Sequence, residues 1–423
     1  MPGPPALKAA LARLLPIVVV ALAVALACLP LNLLDRAQDQ LLQLLPRFSG
    51  GGWQPITRAM ACSPVLVMPV LLWLQSGIWS QAAGSGIPQT MVAMEHPQRA
   101  AALLAPRATV QRLMLWSIAT LALLPLGREG PVVHVGASVA YRLQQRFPRW
   151  FQSLGRTDLI ALAGGAGLAA GFNTPLVGLV FVAEELTSRF DARLIWPALL
   201  ACVTAAGFSN LGGQPEFALG LLQDGSVESW QLLWALPLGL GAGLLGAGFG
   251  RMLLETTKRL TPMVRRYPLR LGLLLGLLLA ALTQLTGGGA NGDGEVLMAW
   301  MIGHPDADLP TAGLLLARMI GPCLALGAGV PGGLIDPAFA IGAVLGQGVS
   351  HLPGLGLMGL ALGMAAALAG ATQLPVLSVV FALRLAGDQQ LLPGVVLAAV
   401  IGAYCSRLLM KKPAYHALAA GLE

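Results

Sequence analysis

The chain has 423 residues, of which only 11% are charged and 56% are hydrophobic, and its formal net charge is +7. A soluble globular protein carries roughly 25% charged residues, so this composition excludes an ordinary water-facing surface and indicates an integral membrane protein. The basic residues lie in short loops between apolar runs and not along one helix face, which argues against nucleic acid as a partner.

Apolar segments follow one another along the whole chain and predict an all-α protein. They lie at about 16–34, 59–80, 110–126, 157–170, 175–186, 194–211, 231–254, 269–285, 308–328, 337–350, 354–370, 375–386 and 390–410. The first segment is too long for the apolar part of a signal peptide, so we expect a retained membrane helix. A full crossing needs about 20 residues, and several segments are shorter than that. Gly and Pro interrupt the pattern at 84–88, 127–131, 174–175, 329–337 and 374–375. Such interruptions predict broken helices whose ends form a transport site near the membrane centre.

The two halves of the chain repeat a pattern. The segment 131–137 (PVVHVGA) aligns with 337–343 (PAFAIGA), and 175–181 (PLVGLVF) aligns with 375–381 (PVLSVVF), both at an offset of about 200 residues. Two matches in the same order indicate an internal duplication. We therefore predict one transmembrane domain over 1–423. Its parts are an N-terminal cytoplasmic helix at 1–15, a first repeat at about 16–212, a second repeat at about 230–410 and a C-terminal tail at 411–423.

The placement of charge predicts an orientation. Basic residues cluster at 8–13, 99–112, 142–156, 258–270 and 407–412, whereas the loops around 35–58, 213–229 and 287–295 are poorer in base and hold acidic residues. The positive-inside rule places the basic set and both termini in the cytoplasm. We expect a multi-pass protein of the cell inner (plasma) membrane.

Three short stretches combine Gly and Pro with a few polar groups: 84–88 (GSGIP), 127–131 (GREGP) and 329–337 (GVPGGLIDP). In each, a proline stands where a first helical turn would begin. The amides ahead of it are then free and carry the positive end of the helix dipole. Several such ends at one depth would bind an anion without a fixed positive charge.

Glu129 is a functional candidate because a carboxylate at membrane depth is costly. Its charged form would compete with an anion for the helix-end amides, and protonation would release those amides. That competition would couple proton movement to anion movement.

These stretches resemble one family. GSGIP, GREGP, the 329–337 stretch, 171–175 (GFNTP) ahead of Glu184 and Glu185, and the final KPxY closely resemble the CLC chloride channels and chloride–proton antiporters, from about residue 16 to Tyr415. The resemblance is to bacterial-type members without CBS domains. It implies an integral membrane CLC-like fold of two inverted-topology repeats with many tilted and broken helices. It also implies a homodimer with one complete pathway in each subunit.

The resemblance assigns roles to individual residues. The anion ligands are Ser85, the amides of Gly86, Ile87, Leu334 and Ile335, and the phenol of Tyr415. The gating glutamate is Glu129, within the helix-end motif of Gly127, Arg128, Gly130 and Pro131. Glu185 matches the inner proton-transfer glutamate, which is found in exchangers and absent in channels. Chloride and protons are the implied partners besides the bilayer, with chloride as bound substrate and no cofactor.

Four residues depart from the family's pattern. His134 stands where an uncharged polar residue is more common, and we interpret it as a packed neutral imidazole, with a pH-sensing role as the alternative. Asp336 stands where a small uncharged residue is common, so we expect it to be protonated, turned away or paired. Ile335 replaces an aromatic residue, and Arg384 aligns with Glu184, where relatives often carry an acid. These departures leave anion affinity and tightness of coupling open.

Other features are interpreted as structural. Glu184 is expected at the membrane interface, Tyr415 alone would be an interfacial aromatic, and His416 is expected in a loop or at the interface. The stretch 241–246 (GAGLLG) fits GxGxxG, but no strand precedes it, so we interpret it as a small-residue packing face that suits a subunit contact. Neither the cysteines nor the histidines show metal-ligand spacing, so no disulfide or metal site is predicted.

Chloride/proton antiport is the leading hypothesis, and a passive or leaky chloride channel on the same scaffold is the alternative. By the resemblance, Ser85 and Pro131 argue against fluoride transport, and Ser85 argues against nitrate transport. A cation-coupled solute symporter would need more buried ligands. A membrane-embedded enzyme would need a Ser/His, paired Asp or metal-ligand set facing one cavity, so we expect no enzyme activity.

Overall fold

The computed structural model describes residues 4–152, 154–209, 228–305, 307, 311–387 and 389–422, and within them the chain is built from helices. The helices are α1 (Pro4–Gln43), α2 (Pro46–Ser49), α3 (Pro55–Ser76), α4 (Ile87–Glu95), α5 (Pro97–Leu103), α6 (Pro106–Leu121), α7 (Glu129–Arg146), α8 (Arg156–Phe172), α9 (Pro175–Phe181), α10 (Ala192–Ser209), α11 (Ala235–Arg266), α12 (Pro268–Thr286), α13 (Glu295–Gly303), α14 (Thr311–Gly327), α15 (Ile335–Gly348), α16 (Met358–Thr372), α17 (Pro375–Ala386), α18 (Leu392–Leu409) and α19 (Ala414–Ala420). The predicted all-α class is confirmed. The predicted loop at 213–229, with the boundary between the repeats, lies almost wholly outside the described residues.

Six stretches of the described residues are long and apolar enough to cross a membrane: Leu14–Gln43, Pro55–Ser76, Ala192–Ser209, Gln231–Arg266, Pro268–Thr286 and Gln389–Ala420. The apolar helices α14, α16 and α17 are shorter than a full crossing. This mixture of spanning and short helices confirms the prediction that several helices are broken and shorter than a full crossing.

The short helices of the two halves begin and end in the same way. Asn173 and Gln373 both adopt left-handed backbone conformations, with φ of 46° and 62°, directly after α8 and α16. Two residues later, Pro175 and Pro375 begin α9 and α17. Proline suits the first turn of a helix because its missing N–H would have no partner there. The two halves therefore share this local design.

The core of the molecule is made of small residues that bring helix backbones close together. All residues of α16 are buried. A Cβ atom added at Gly342 of α15 would overlap the backbone of Gly363 in α16, and one added at Gly246 of α11 would overlap Ala367. Close backbone contact of this kind is the usual way in which membrane helices pack.

The glycine face of α11 lies inside the protomer, so its proposed place at a subunit contact is wrong. Gly239 packs against α18 near Ala398, and Gly243 packs against Gly402 of the same helix. Gly246 faces α16. The packing interpretation of the stretch therefore holds, but the partner helices belong to the same chain.

The predicted boundaries near the N-terminus are also wrong. α1 runs without interruption from Pro4 to Gln43, so neither a separate helix at 1–15 nor a loop starting at residue 35 is present in the described part. Asp35 and Asp39 lie in the last turns of α1 and are buried. Glu295, placed in a loop by its charge, begins α13 and is buried too. Arg128 pairs with Asp35 and compensates the charge of that buried acid.

Candidate functional site

The three Gly/Pro breaks meet in space. Gly127 and Gly333 exchange backbone hydrogen bonds of 3.1 and 2.8 Å, and the Gly84 amide donates to the Gly329 carbonyl at 2.7 Å. A Cβ atom on Gly130 would overlap the carbonyl and hydroxyl of Ser85. The non-helical segments therefore satisfy one another's backbone groups, as a buried membrane site requires. This arrangement brings the N-terminal ends of α4, α7 and α15 together.

Glu129 reaches from the start of α7 to the start of α15. It is the first residue of α7 and is fully buried, and its Oε1 accepts a hydrogen bond of 2.6 Å from the amide of Asp336 in α15. The carboxylate fills the space beside Gly127 and Gly333, where a Cβ atom would overlap it. A carboxylate bound to a helix-end amide occupies the kind of position that suits an anion.

Ser85, Leu334 and Tyr415 lie together on one side of this point. The Ser85 hydroxyl oxygen is buried and has no hydrogen-bond partner among the described residues. The Leu334 amide donates to the hydroxyl oxygen of Tyr415 at 3.4 Å, and Tyr415 is only 1% exposed. Ile335, the first residue of α15, and Ile87, the first residue of α4, are fully buried. The structure thus gathers these predicted ligands around one place.

The Gly86 amide is already engaged. It donates to Oε1 of Gln89 at 2.8 Å, because Gln89 stands three residues into α4 and reaches back to cap the helix. The expectation that this amide is free for an anion is therefore wrong for this structure. The left-handed φ of 115° at Gly86 still requires glycine, since a Cβ atom would meet the backbone of Gly130 and the side chain of His134.

A cavity of about 720 Å³ leads to Ser85 and Tyr415. Two basic residues of α11, Lys258 and Arg265, also line it. Positive groups in the lining of a cavity raise the local concentration of anions. The cavity therefore gives an anion an approach to the buried helix ends.

A buried cation supports the segment that carries Ser85. Arg112 is fully buried in α6, although its place in a basic cluster had predicted a position facing the cytoplasm. Its guanidinium donates to the carbonyls of Gln81, Ala83 and Gly84 at 3.1, 3.2 and 3.3 Å. No sequence pattern indicated this role, because a lone arginine in an apolar helix does not reveal which carbonyls it meets.

His134 is a packed side chain of this same network. It is fully buried, and its Nε2 lies 2.6 Å from Nη1 of Arg112 and 3.3 Å from the hydroxyl of Thr109. Arg112 can only donate, so Nε2 accepts and carries no proton. The interpretation of His134 as a neutral imidazole agrees with these contacts.

Arg128 does not pair with the glutamate beside it. Its guanidinium pairs with Asp35, lies 3.6 Å from Oε2 of Glu295 and stands 4.6 Å from the ring centre of Phe172. Among the described residues, Glu129 therefore forms no ion pair with the arginine beside it. The carboxylates of Asp35, Asp39 and Glu295 approach within 4.8 Å of one another. Arg128 already supplies positive charge there, so we assign no metal to this group.

A second pair of acids stands on a π-helical turn at Val182–Leu186, which continues α9. Such turns inside helices are frequent at functional sites. Glu185 is 1% exposed, and neither of its carboxylate oxygens has a hydrogen-bond partner among the described residues. The Nε2 atom of His416 lies 3.9 Å from Oε2 of Glu185, and the His416 side chain is 35% exposed. The expectation that His416 belongs to a loop or to the interface missed this contact.

Glu184 has a structural role that the sequence did not reveal. Its two oxygens accept hydrogen bonds of 3.0 and 2.7 Å from the amides of Val376 and Leu377, in the first turn of α17. It therefore caps a helix of the other half of the chain, and its place at the membrane interface stays a prediction. Arg384, which aligns with it in the sequence, lies half-buried in the last turn of α17.

A family model described as voltage gated chloride channel matches residues 65–407. The voltage-gated ClC-type chloride channel ClcB of Escherichia coli O17:K52:H18 is 29% identical over 302 residues, which cover 69% of this chain and 71% of that protein. The solved structure of a CLC-type fluoride/proton antiporter aligns with a TM-score of 0.74 at 23% identity, covering 94% of this chain and 96% of that one.

Two further solved structures have the same fold. A slow cyanobacterial Cl⁻/H⁺ antiporter gives a TM-score of 0.77 at 20% identity, with 97% of this chain and 98% of that chain covered. A eukaryotic CLC transporter gives 0.81 at 20% identity, with 98% and 74% covered. The expected CLC fold is confirmed. The chain belongs to the voltage gated chloride channel family, the CLC family of membrane anion-transport proteins.

Proposed function

We propose that the protein exchanges chloride for protons across the membrane. The observation that carries this proposal is the position of the Glu129 carboxylate, which accepts the Asp336 amide at 2.6 Å where three helix ends meet. A transported anion needs the same amides, so the carboxylate and the anion compete for them. Protonation removes the negative charge of Glu129 and weakens its hold on the amide. Proton binding and anion binding are then linked at one site.

Glu185 supplies the proton branch of the proposed mechanism. It is buried and has no hydrogen-bond partner among the described residues, so its charge is not stabilised by a fixed donor. A carboxyl group of this kind can hold a proton on its way to Glu129. His416, partly exposed and 3.9 Å away, would connect Glu185 to solvent.

Chloride is the proposed anion, and it would enter through the cavity lined by Lys258 and Arg265 to reach Ser85 and Tyr415. The Ser85 hydroxyl supports this proposal because it is buried and unpartnered, and it can donate to an anion. A homodimer in the cell inner membrane with both termini in the cytoplasm, and the absence of cofactor, metal and enzyme activity, stay predictions.

Reconstitution into liposomes tests the proposed function. With the membrane potential held at zero by a potassium ionophore, an outward chloride gradient should drive proton uptake into the vesicles against the proton gradient. Chloride efflux without proton movement would overturn exchange and favour the passive or leaky channel on the same scaffold. Efflux of fluoride or nitrate but not chloride would keep anion transport and reject chloride as the substrate.

A further inference from the structure

Asp336 is a buried acid inside the anion site. It is the second residue of α15 and has no exposed surface. No donor group of the described residues reaches either of its carboxylate oxygens. The charged and titratable groups that face it are Glu129, Arg128, Asp293, Glu295 and Tyr415. The side chain is therefore neither turned out to solvent nor held by hydrogen bonds in the way that a buried carboxylate requires.

Among the described residues, none of these neighbours forms an ion pair with Asp336. Arg128 is engaged with Asp35 and with the ring of Phe172. Asp293 and Glu295 are themselves acidic, so they do not compensate a negative charge on Asp336. The remaining neighbour is Glu129, whose Oε1 lies 2.6 Å from the backbone amide of Asp336, and whose Oε2 is buried without a hydrogen-bond partner among the described residues.

A hydrogen bond between two carboxyl groups needs a proton, because ionised carboxylates are acceptors only. Two ionised carboxylates close together in a buried site repel each other strongly, because little water screens their charges. Two close buried carboxyl groups therefore do not ionise together, and the second proton is held more tightly than either group alone would hold it.

We propose that Asp336 and Glu129 form a carboxyl pair that shares one proton, so that Asp336 is a second proton-binding residue of the transport site. The pairing itself follows from the contacts, whereas its part in transport rests on the proposed function. In this arrangement Asp336 donates its proton toward the Glu129 carboxylate that occupies the amide. When the proton passes to Glu129, the negative charge moves to Asp336, beside the anion's own position. An anion is bound strongly only when both groups are protonated.

Infrared spectroscopy of the purified protein tests the pair directly, through the C=O stretch of protonated carboxyl groups. The parent for these spectra is Glu185→Gln, which removes the other unpartnered buried carboxyl of the pathway. Spectra are recorded without transported anion over about pH 5 to 9, which spans the range of perturbed carboxyl groups. Asp336→Asn and Glu129→Gln are then added singly to this parent.

As the pH rises, the last protonated carboxyl group of the site should lose its proton in the parent at a pH at least about one unit higher than in either double variant. Each double variant lacks the neighbouring charge that retains the proton. The same pH in all three proteins would overturn the proposal. If Asp336→Asn fails to fold, the comparison of the parent with the Glu129→Gln protein decides alone. Asp293→Asn serves as a matched control, and the upper step should persist in it because the pair is intact.

Chloride binding tests the consequence for transport. In the Glu129→Gln protein, the Kd for chloride measured by calorimetry should rise at least about tenfold from acidic to alkaline pH, as a unit charge forms on Asp336 beside the anion. The Glu129→Gln/Asp336→Asn protein should show less than about a twofold change over the same range. Equal pH dependence in the two proteins would contradict the effect on the anion. Failure of both to bind chloride at any pH would reject the proposed function, while the infrared result would still decide whether the pair exists.

Discussion

Removing the Glu129 side chain should strengthen anion binding by an amount that the structure sets. The carboxylate accepts the Asp336 amide at 2.6 Å, and a hydrogen bond to a charged group contributes about 1.5–3 kcal/mol. Each 1.4 kcal/mol changes an equilibrium constant about tenfold, so the amide is free of the carboxylate for only roughly one tenth to one hundredth of the time. A competing anion sees its affinity reduced by that fraction. Glu129→Ala should therefore lower the Kd for chloride roughly 10- to 100-fold at neutral pH.

Isothermal titration calorimetry with chloride measures this change. Glu184→Ala is a matched control, because Glu184 also accepts helix-end amides, from Val376 and Leu377, but stands away from the meeting point of α4, α7 and α15. That control should leave the Kd within about twofold of the wild type. An unchanged Kd in Glu129→Ala, or an equal change in both variants, would refute the competition.

Three further predictions follow from other contacts. His134→Gln should leave the pH dependence of flux unchanged, because a proton on His134 would bring a second positive charge against the guanidinium that donates to it at 2.6 Å; a displaced pH profile would contradict this. His416→Ala should slow coupled proton flux severalfold but leave the fold intact, since it removes the partly exposed group 3.9 Å from Glu185; unchanged proton flux would exclude His416 from the path. Gly246→Ala should destabilise the protein by about 1–3 kcal/mol, because the new methyl group overlaps the backbone of α16. Thermal unfolding followed by tryptophan fluorescence measures that loss, and Gly207→Ala, whose Cβ atom meets nothing within 4 Å, should lack it.

The helical framework was predictable because lipid imposes a pattern that a single sequence displays. Long apolar runs correspond to spanning helices, and Gly/Pro interruptions correspond to helix ends. α7 was missing from the predicted apolar segments, since Glu129 and His134 lower the hydrophobicity of its first turns. Both residues are buried inside the molecule, where they meet other polar groups and not lipid. Hydrophobicity alone cannot distinguish such a helix from a loop.

The members of the site were predictable, but their partners were not. The motifs named Ser85, Glu129, Leu334 and Tyr415, and the structure gathers them around the ends of α4, α7 and α15. The amide that Glu129 uses belongs to Asp336, for which the sequence predicted a protonated, turned-away or paired side chain but no role for its backbone amide. Hydrogen bonds between residues about 200 positions apart depend on how the two halves pack, and no local pattern encodes that packing.

Charge was the least reliable guide. Asp35 and Glu295 were assigned to base-poor loops on the side opposite the basic clusters, yet both are buried around Arg128. Arg112 was counted with a cytoplasmic cluster, yet it is buried behind the Ser85 segment. Each of these charges is neutralised or hydrogen-bonded by residues distant in sequence, which a rule based on short loops does not consider.

The most direct test of coupled exchange applies a proton gradient in place of a chloride gradient. Liposomes containing the wild-type protein, with equal chloride on both sides and the membrane potential held at zero, receive a pH step, and a chloride electrode follows the anion. Chloride–proton exchange predicts that chloride moves against its own developing gradient until the two gradients balance. Glu129→Ala vesicles should show no such movement although they still release chloride down a gradient. Wild-type vesicles that exchange labelled chloride but never accumulate it after the pH step would contradict the account.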